Sequence, residues 1–141
     1  MRAVIQRAFG ANVSVDGEII GSFDGSGLVI LLGVTHSDST DTATALAQKI
    51  AHLRIMAGER SVRDSGGQAL VVSQFTLYAD TKKGRRPSWG DAAPGPVAQP
   101  LYEHFCEELT AAGVRVSRGV FGADMRVTLT NDGPVTLIVE A

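Results

Sequence analysis

The chain has 141 residues, 44% of them hydrophobic and 20% charged, which is enough for one well-filled core and too little for two ordinary domains. Its 13 Lys and Arg against 15 Asp and Glu give a formal net charge of -2, so no global positive field would hold nucleic acid non-specifically. A single cysteine excludes an intramolecular disulfide and favours a reducing compartment. Residues 1–7 have no signal-peptide pattern, and no apolar run approaches the roughly 20 residues of a membrane span. We therefore expect one soluble, cytoplasmic domain over residues 1–141.

The first quarter of the chain predicts strands. Residues 4–8 and 13–15 alternate apolar and polar positions. Between the second of these and the next apolar residues, Asp16-Gly17 is typical of a type I′ hairpin turn, because both residues tolerate a positive φ. Residues 27–34 form a continuous apolar run bounded at its start by glycine, which predicts a strand covered on both faces.

Two later segments have helical spacing, 37–53 with several candidate N-caps at its start and 97–113 with a glycine at its end. Residues 57–68 predict a loop, and residues 69–77 a strand that becomes polar near its end. Three short strands are expected over 114–116, 125–129 and 135–139, the last two joined by a turn at 131–134. Roughly six or seven strands with two helices predict an α+β domain whose sheet is curled, mostly antiparallel and barrel-like.

The common catalytic signatures are absent. His36, His52 and His104 are scattered, and none has a second ligand at metal-binding spacing. Cys106 lies beside the apolar stripe of the second helix, so we expect it to be a buried small hydrophobe and not a nucleophile. No nucleophile elbow, phosphate-binding glycine loop or dinucleotide fingerprint occurs.

A polar cluster at the end of the strand over 69–77 is one remaining candidate. It consists of Ser73, Gln74, Phe75 and Thr76. In a regular strand Ser73 and Phe75 would share one face, with Gln74 and Thr76 on the other. Taken alone, the cluster is best explained as a strand end whose hydroxyl groups are satisfied, and no base is visible that would activate Thr76.

A basic loop is the second candidate. Lys82-Lys83-Gly84-Arg85-Arg86 is equally consistent with a solvated loop and with one that contacts phosphates. Trp89, close behind it, either stacks on a base or anchors the loop. Further on, Gly133-Pro134 alone indicates no more than a plain turn, since only about 5–6% of X-Pro bonds in folded proteins are cis.

Read in order, these segments form a set of motifs: Ser-Gln-Phe-Thr-Leu at 73–77, Gly-x-Arg-Pro-Ser at 84–88, Phe-Gly-Ala-Asp-Met at 121–125 and Asn-Asp-Gly-Pro-Val-Thr at 131–136. With the opening Val-Ile-Gln-Arg at 4–7, they closely resemble the D-aminoacyl-tRNA deacylase family, of the D-tyrosyl-tRNA deacylase type. The resemblance runs over the whole chain.

This resemblance implies a homodimeric enzyme that hydrolyses the ester joining a D-amino acid to the terminal adenosine of tRNA, without a metal or nucleotide cofactor. It places the site at the dimer interface, with residues 73–76 along one wall. It makes Gly133-Pro134 a cis-proline motif that reaches into the partner's pocket and rejects L substrates, with Arg7 holding that motif in place. An alanine matched to Ala98 also lines the pocket, and a glycyl ester, which lacks a side chain, should escape the filter.

The physical chemistry of the substrate agrees with a site that has no triad. An aminoacyl ester is already activated, so a positioned water and backbone N–H groups around Phe75 and Thr76 can supply much of the rate. Two alternatives stay open: Thr76 acting as a covalent nucleophile, and a non-catalytic tRNA-binding or RNA-binding module of translation in which the loop at 82–86 contacts phosphates.

Overall fold

Two long strands joined by the Asp16-Gly17 turn form the middle of the sheet in the computed structural model, which describes all residues from Met1 to Ala141. Strand β1 spans Arg2–Val15 and β2 spans Glu18–Gly33, and they pair antiparallel. Asp16 has φ 50° and Gly17 φ 82°, as a type I′ turn requires. The hairpin prediction is confirmed, although each strand is one continuous element where the alternation indicated shorter pieces.

Three further strands complete a mixed sheet: β3 over Gln68–Ser73, β4 over Arg115–Arg118 and β5 over Arg126–Glu140. The strand order is β4-β3-β2-β1-β5. Pairing is antiparallel along the two long ladders of β1 and parallel for β2 with β3 and β3 with β4. The α+β class is confirmed. The sheet has five strands where roughly six or seven were predicted. Its edge strands β4 and β5 do not pair with each other, so the expected barrel-like closure is not seen.

Strand β5 contains the segment that was predicted to be a turn between two strands. Gln6 pairs with Thr136 and Ala8 with Asn131, so Arg7 alone faces the four residues 132–135. This segment is therefore a bulge in one continuous strand, which bends the ladder and leaves the extra residues unpaired.

The two helices provide the crossovers that parallel strands require. Helix α1 spans Thr40–His52 between β2 and β3, and α2 spans Gly95–Ala111 between β3 and β4. Helix α1 begins with a capping box in which the Ser39 hydroxyl accepts from the backbone N–H of Thr42. Both predicted helices are confirmed, and neither has the length and apolar composition that a membrane span needs.

The sheet is covered on both faces, as the apolar run at 27–34 predicted. Leu28 and Ile30 pack in the larger cluster with the two helices, whereas Val29 packs on the opposite face with Phe23 and Leu70. This alternation follows from the two-residue period of a strand. With its middle strands buried on both sides, the sheet is a rigid base for whatever lies at the strand ends.

Candidate active site at the ends of strands β2 and β3

Strand β3 ends at Ser73, which pairs with Leu32 near the end of β2. The Gln74 N–H still donates to the Leu32 carbonyl at 2.8 Å, and the chain then turns into a 3-10 helix over Phe75–Tyr78. The expected face alternation across residues 73–76 is therefore wrong beyond Ser73. Its physical reason is that β2 ends at Gly33, so no further backbone partner exists and local i to i+3 hydrogen bonds take over.

The tight turn links the side chains of Gln74 and Thr76. The Gln74 amide donates to the Thr76 hydroxyl oxygen. No histidine, carboxylate or lysine hydrogen-bonds to Thr76 in the structure, so the hydroxyl has an amide neighbour in place of a base. An amide cannot take up the proton that a nucleophilic threonine must lose.

A cavity of about 210 Å³ lies beside this turn. It brings together four of the residues that the sequence singled out: Ser73, Gln74, Phe75 and Ala98. Its remaining walls are mostly apolar and were not predicted: Leu32, Val34, Gly95, Tyr102, Phe121 and Gly122. The sequence held a signal for part of this set, because Tyr102 follows Ala98 by four residues on one helix face and the Phe-Gly pair opens a motif.

Tyr102 fixes the floor of the cavity to the sheet. Its hydroxyl donates to the Val71 carbonyl at 2.8 Å, and its ring lies 5.9 Å from that of Phe121. Burial is the main cause that raises the pKa of Tyr102 well above its usual value. One helical turn on, Cys106 is fully buried, as predicted, and burial raises its pKa to about 11. Both groups are therefore neutral near pH 7.

Phe75, which lines the cavity, forms an exposed aromatic pair with Trp89. Phe75 is 57% exposed, and its ring meets that of Trp89 edge to face with centroids 5.4 Å apart. Hydrogen bonds to the segment after β2 also hold the backbone that follows Trp89. The ring of His36 contacts the Gly90 carbonyl at 2.8 Å, and the Thr35 hydroxyl donates to the Asp91 carbonyl at 2.6 Å. Trp89 therefore anchors the segment that follows the basic loop at 82–86 against the candidate site.

The Gly133-Pro134 segment forms a second candidate feature in the bulge of β5. Its peptide bond is cis, and both residues are exposed. The Arg7 guanidinium, only 18% exposed, lies 3.0 Å from the Asp132 carboxylate and donates to the Asp132 carbonyl at 3.3 Å. It also donates to the Ile55 carbonyl at 3.0 Å. Arg7 thus braces the bulge against the segment that follows α1.

The structure does not bring this bulge near the cavity of the same chain. Arg7 pairs with Leu28 and Leu28 with Ala69, four residues before Ser73 along β3. Strand β5 is also three positions from β3 in the sheet. Roughly 3.3 Å per residue and about 4.8 Å between strands give separations of about 13 Å along the strands and 14 Å across them.

A larger cleft lies at the opposite end of the sheet and contains none of the predicted site residues. It measures about 590 Å³ and is lined by Ser14, Asp16, Gly17, Asp124, Met125 and Arg126. We prefer the smaller cavity beside Ser73 as the candidate site, because an apolar pocket with a few convergent polar groups is the better candidate for a binding site. No group of three or more His, Cys, Asp or Glu side chains in the structure could hold a metal ion.

Comparison with known proteins gives matches over nearly the full length of the chain. The family model described as D-Tyr-tRNA(Tyr) deacylase matches residues 4–140. The D-aminoacyl-tRNA deacylase of Micrococcus luteus is 63% identical over 141 residues, which cover 100% of this chain and 94% of that protein. Among solved structures, the c-Myc DNA Unwinding Element Binding Protein has a TM-score of 0.93 at 37% identity, covering 100% of this chain and 99% of its own. A probable eukaryotic D-amino acid tRNA deacylase has the same fold, with a TM-score of 0.83 at 17% identity and coverage of 99% and 98%.

Proposed function

The chain belongs to the D-Tyr-tRNA(Tyr) deacylase family, and on that ground we propose that it hydrolyses the ester bond of D-aminoacyl-tRNA, releasing a free D-amino acid and reusable tRNA. The observation that carries this proposal is the match over residues 4–140. A second observation supports it: the first three residues of the Ser-Gln-Phe-Thr motif, Ser73 to Phe75, line the cavity at the ends of β2 and β3, whereas Thr76 does not. We place this activity in the cytoplasm, where charged tRNA is used.

The proposed chemistry relies on positioning. The ester is activated, so a water held near its carbonyl and donors aimed at the developing oxyanion lower the barrier without a protein base. The first N–H groups of a helical turn have no partner within that turn. Phe75 and Thr76 are the first two residues of the 3-10 helix beside the cavity, so their N–H groups are unpaired within it. We propose that these two N–H groups donate hydrogen bonds to the developing oxyanion, and that the Gln74 and Thr76 side chains stabilise the conformation of the turn. The 2′-hydroxyl of the terminal adenosine is available to assist the attacking water.

A homodimer is part of the proposal, because one copy cannot supply both candidate features to one pocket. The Gly133-Pro134 bulge lies about 13 Å along and 14 Å across the sheet from Ser73 of the same chain. Both bulge residues are exposed, and so is Phe9, which is 62% exposed in the neighbouring part of β1. In a symmetric pair each bulge could reach the partner's cavity, and its carbonyls would then occupy the space that an L side chain needs. A glycyl ester, with no side chain, would pass this filter and also be hydrolysed.

Matched D-tyrosyl-tRNA and L-tyrosyl-tRNA test the activity. We expect rapid release of the D-amino acid, slow release of the L form, and rates that a chelator leaves unchanged. Equal rates on the two enantiomers would refute the proposal for stereospecific hydrolysis. The same measurement separates it from the non-catalytic RNA-binding alternative, in which neither ester is cleaved faster than in buffer.

Replacing Thr76 tests the role of the hydroxyl. Thr76→Ala should weaken turnover by roughly tenfold or less, whereas removal of a true nucleophile costs several orders of magnitude. Isolation of an acyl ester on Thr76 after rapid quenching would instead establish covalent catalysis.

Replacing Gly133 tests the stereochemical filter. A Cβ at Gly133 would meet only the Asn131 amide nitrogen, at 3.5 Å, within its own chain, so the monomer should fold normally. We expect Gly133→Ala to change the ratio of D to L rates through the partner's pocket. Gly90→Ala, whose Cβ would point into open space, is the matched control. An unchanged ratio in a protein that sediments as a dimer would count against the filter.

A further inference from the structure

The basic loop over residues 82–86 concentrates positive charge beside the candidate site. It holds four of the chain's 13 Lys and Arg in five consecutive residues, on a chain whose formal net charge is -2. All four side chains are exposed, and none forms an ion pair. They are Lys82, Lys83, Arg85 and Arg86. Nothing in the folding of the chain uses these charges, so they are available to an anionic partner.

The position of this loop is fixed by contacts at its base. Asp80 and Ser88 exchange two backbone hydrogen bonds of 2.9 and 3.0 Å, which close the loop. The Asp80 carboxylate accepts from the Lys82 N–H at 2.9 Å. Directly after the loop, Trp89 packs on Phe75. These contacts hold the backbone of the loop in a defined position beside the cavity. The loop therefore loses less conformational entropy on binding than a free segment would.

We propose that the loop at 82–86 binds the phosphates of the acceptor end of tRNA while the terminal aminoacyl ester occupies the cavity. This inference rests on the proposed function and names the part of the substrate that the loop recognises. The partner is RNA backbone, because exposed ammonium and guanidinium groups contact phosphates without sequence preference. On a chain with negative net charge, affinity for tRNA must come from a local patch of this kind.

The effect of removing the patch follows from counterion release. Each phosphate contact on a single strand makes the slope of log affinity against log salt more negative by about 0.7. If two or three of the four cations contact phosphates, their removal weakens binding by roughly ten- to hundredfold near 0.1 M salt. The effect should appear in KM with kcat little changed, and it should fade as the salt concentration approaches about 1 M.

The decisive experiment compares a whole substrate with a minimal one. The loop variant K82Q/K83Q/R85Q/R86Q is assayed on D-tyrosyl-tRNA and on D-tyrosyl-adenosine, which carries the same ester without the phosphates. We expect a ten- to hundredfold loss in kcat/KM on the tRNA substrate and an unchanged kcat/KM on the adenosine ester. An equal loss on both substrates, or no loss on tRNA, overturns the proposal.

The control variant removes the same number of charges elsewhere. It is K49Q/R54Q/R115Q/R126Q. Arg115 and Arg126 begin β4 and β5, at the end of the sheet away from Ser73, and Lys49 and Arg54 lie at the end of α1 and just after it. Both variants have the same net charge, so a general electrostatic effect would lower activity on tRNA equally in the two. Such an equal loss would also overturn the proposal.

Binding of deacylated tRNA gives a readout that does not depend on turnover. The dissociation constant should rise in the loop variant by the same factor as KM, and its salt slope should become shallower. If the wild-type protein cleaved neither ester, the proposed function would fail, yet this measurement would still decide whether the loop binds RNA. Unchanged binding in the loop variant would reject the loop as the phosphate site.

Discussion

Gly33 provides a test of how tightly the candidate site depends on backbone position. It is the last residue of β2, directly beneath the turn that carries Thr76. A Cβ built there would lie 3.0 Å from the Gln74 carbonyl oxygen, 3.0 Å from Leu77 Cβ and 3.2 Å from Tyr78 Cδ2. Ordinary contacts begin at about 3.4 Å, so Gly33→Ala must displace the 3-10 helix by a few tenths of an ångström.

The expected cost follows from this overlap. Adding a methyl group to a well-packed position costs about 1–3 kcal/mol, which lowers the melting temperature of a domain of this size by about 3–12 °C. Because a 1 Å misplacement can cost about a hundredfold in rate, a smaller shift of the assigned oxyanion donors should lower kcat/KM by roughly tenfold. At the assay temperature the variant should remain folded.

Steady-state hydrolysis of D-tyrosyl-tRNA, with circular dichroism to follow unfolding, measures both effects. Gly90→Ala is the control, because the same methyl group there meets nothing within 4 Å. Wild-type kcat/KM in Gly33→Ala would refute the assignment of catalysis to the backbone of this turn. A loss of activity in proportion to the unfolded fraction would refute it as well.

The remaining predictions concern three buried or half-buried side chains. Cys106 should resist alkylation at neutral pH, because its thiol is buried and protonated. Burial raises the pKa of Cys106 from 9.0 to about 11, so the contribution of the neutral thiol to stability is complete below pH 9 and is lost as the pH rises towards 11. The melting temperature of Cys106→Ala should therefore fall less than that of the wild-type protein over that pH range. Tyr102→Phe removes the buried hydrogen bond to Val71 and should cost about 1–2 kcal/mol in denaturant unfolding, whereas a cost near zero would show that the bond adds nothing. Arg7→Lys keeps the charge but cannot span both carbonyl acceptors, so the ratio of D to L rates should fall while the helical circular dichroism signal persists.

The features that the sequence predicted correctly are governed by neighbours close in the chain. The Asp16-Gly17 turn is determined by the φ values that its two residues tolerate, and α1 by its cap and its apolar stripe. The alternation of Leu28 and Val29 between the two faces also follows from local periodicity. Each of these rests on residues within a few positions of one another, where propensity and pattern act directly.

The features that the sequence did not predict depend on distant partners. Residues 75–77 lie in the predicted strand, but they belong to the 3-10 helix over Phe75–Tyr78 because their neighbour β2 ends at Gly33. The segment at 131–134 is typical of a turn, but the register of β1 places residues 132–135 in a bulge opposite Arg7. Tyr102 lines the cavity only because α2 packs over the end of β3. In each case the deciding partner is far away in sequence.

In a site without a protein base, no single substitution should abolish activity, and the contacts of each residue predict the order of the losses in kcat/KM. Thr76 offers a hydroxyl bonded only to the Gln74 amide, so deleting it should loosen the turn without removing a reacting group. Gly33→Ala moves the backbone that carries the assigned donors, so it should lower kcat/KM more than Thr76→Ala does. In a triad enzyme the order is reversed, since loss of the nucleophile costs far more than a small displacement of its support. The ranking of these two variants therefore separates catalysis by placement from catalysis by Thr76, even before any intermediate is sought.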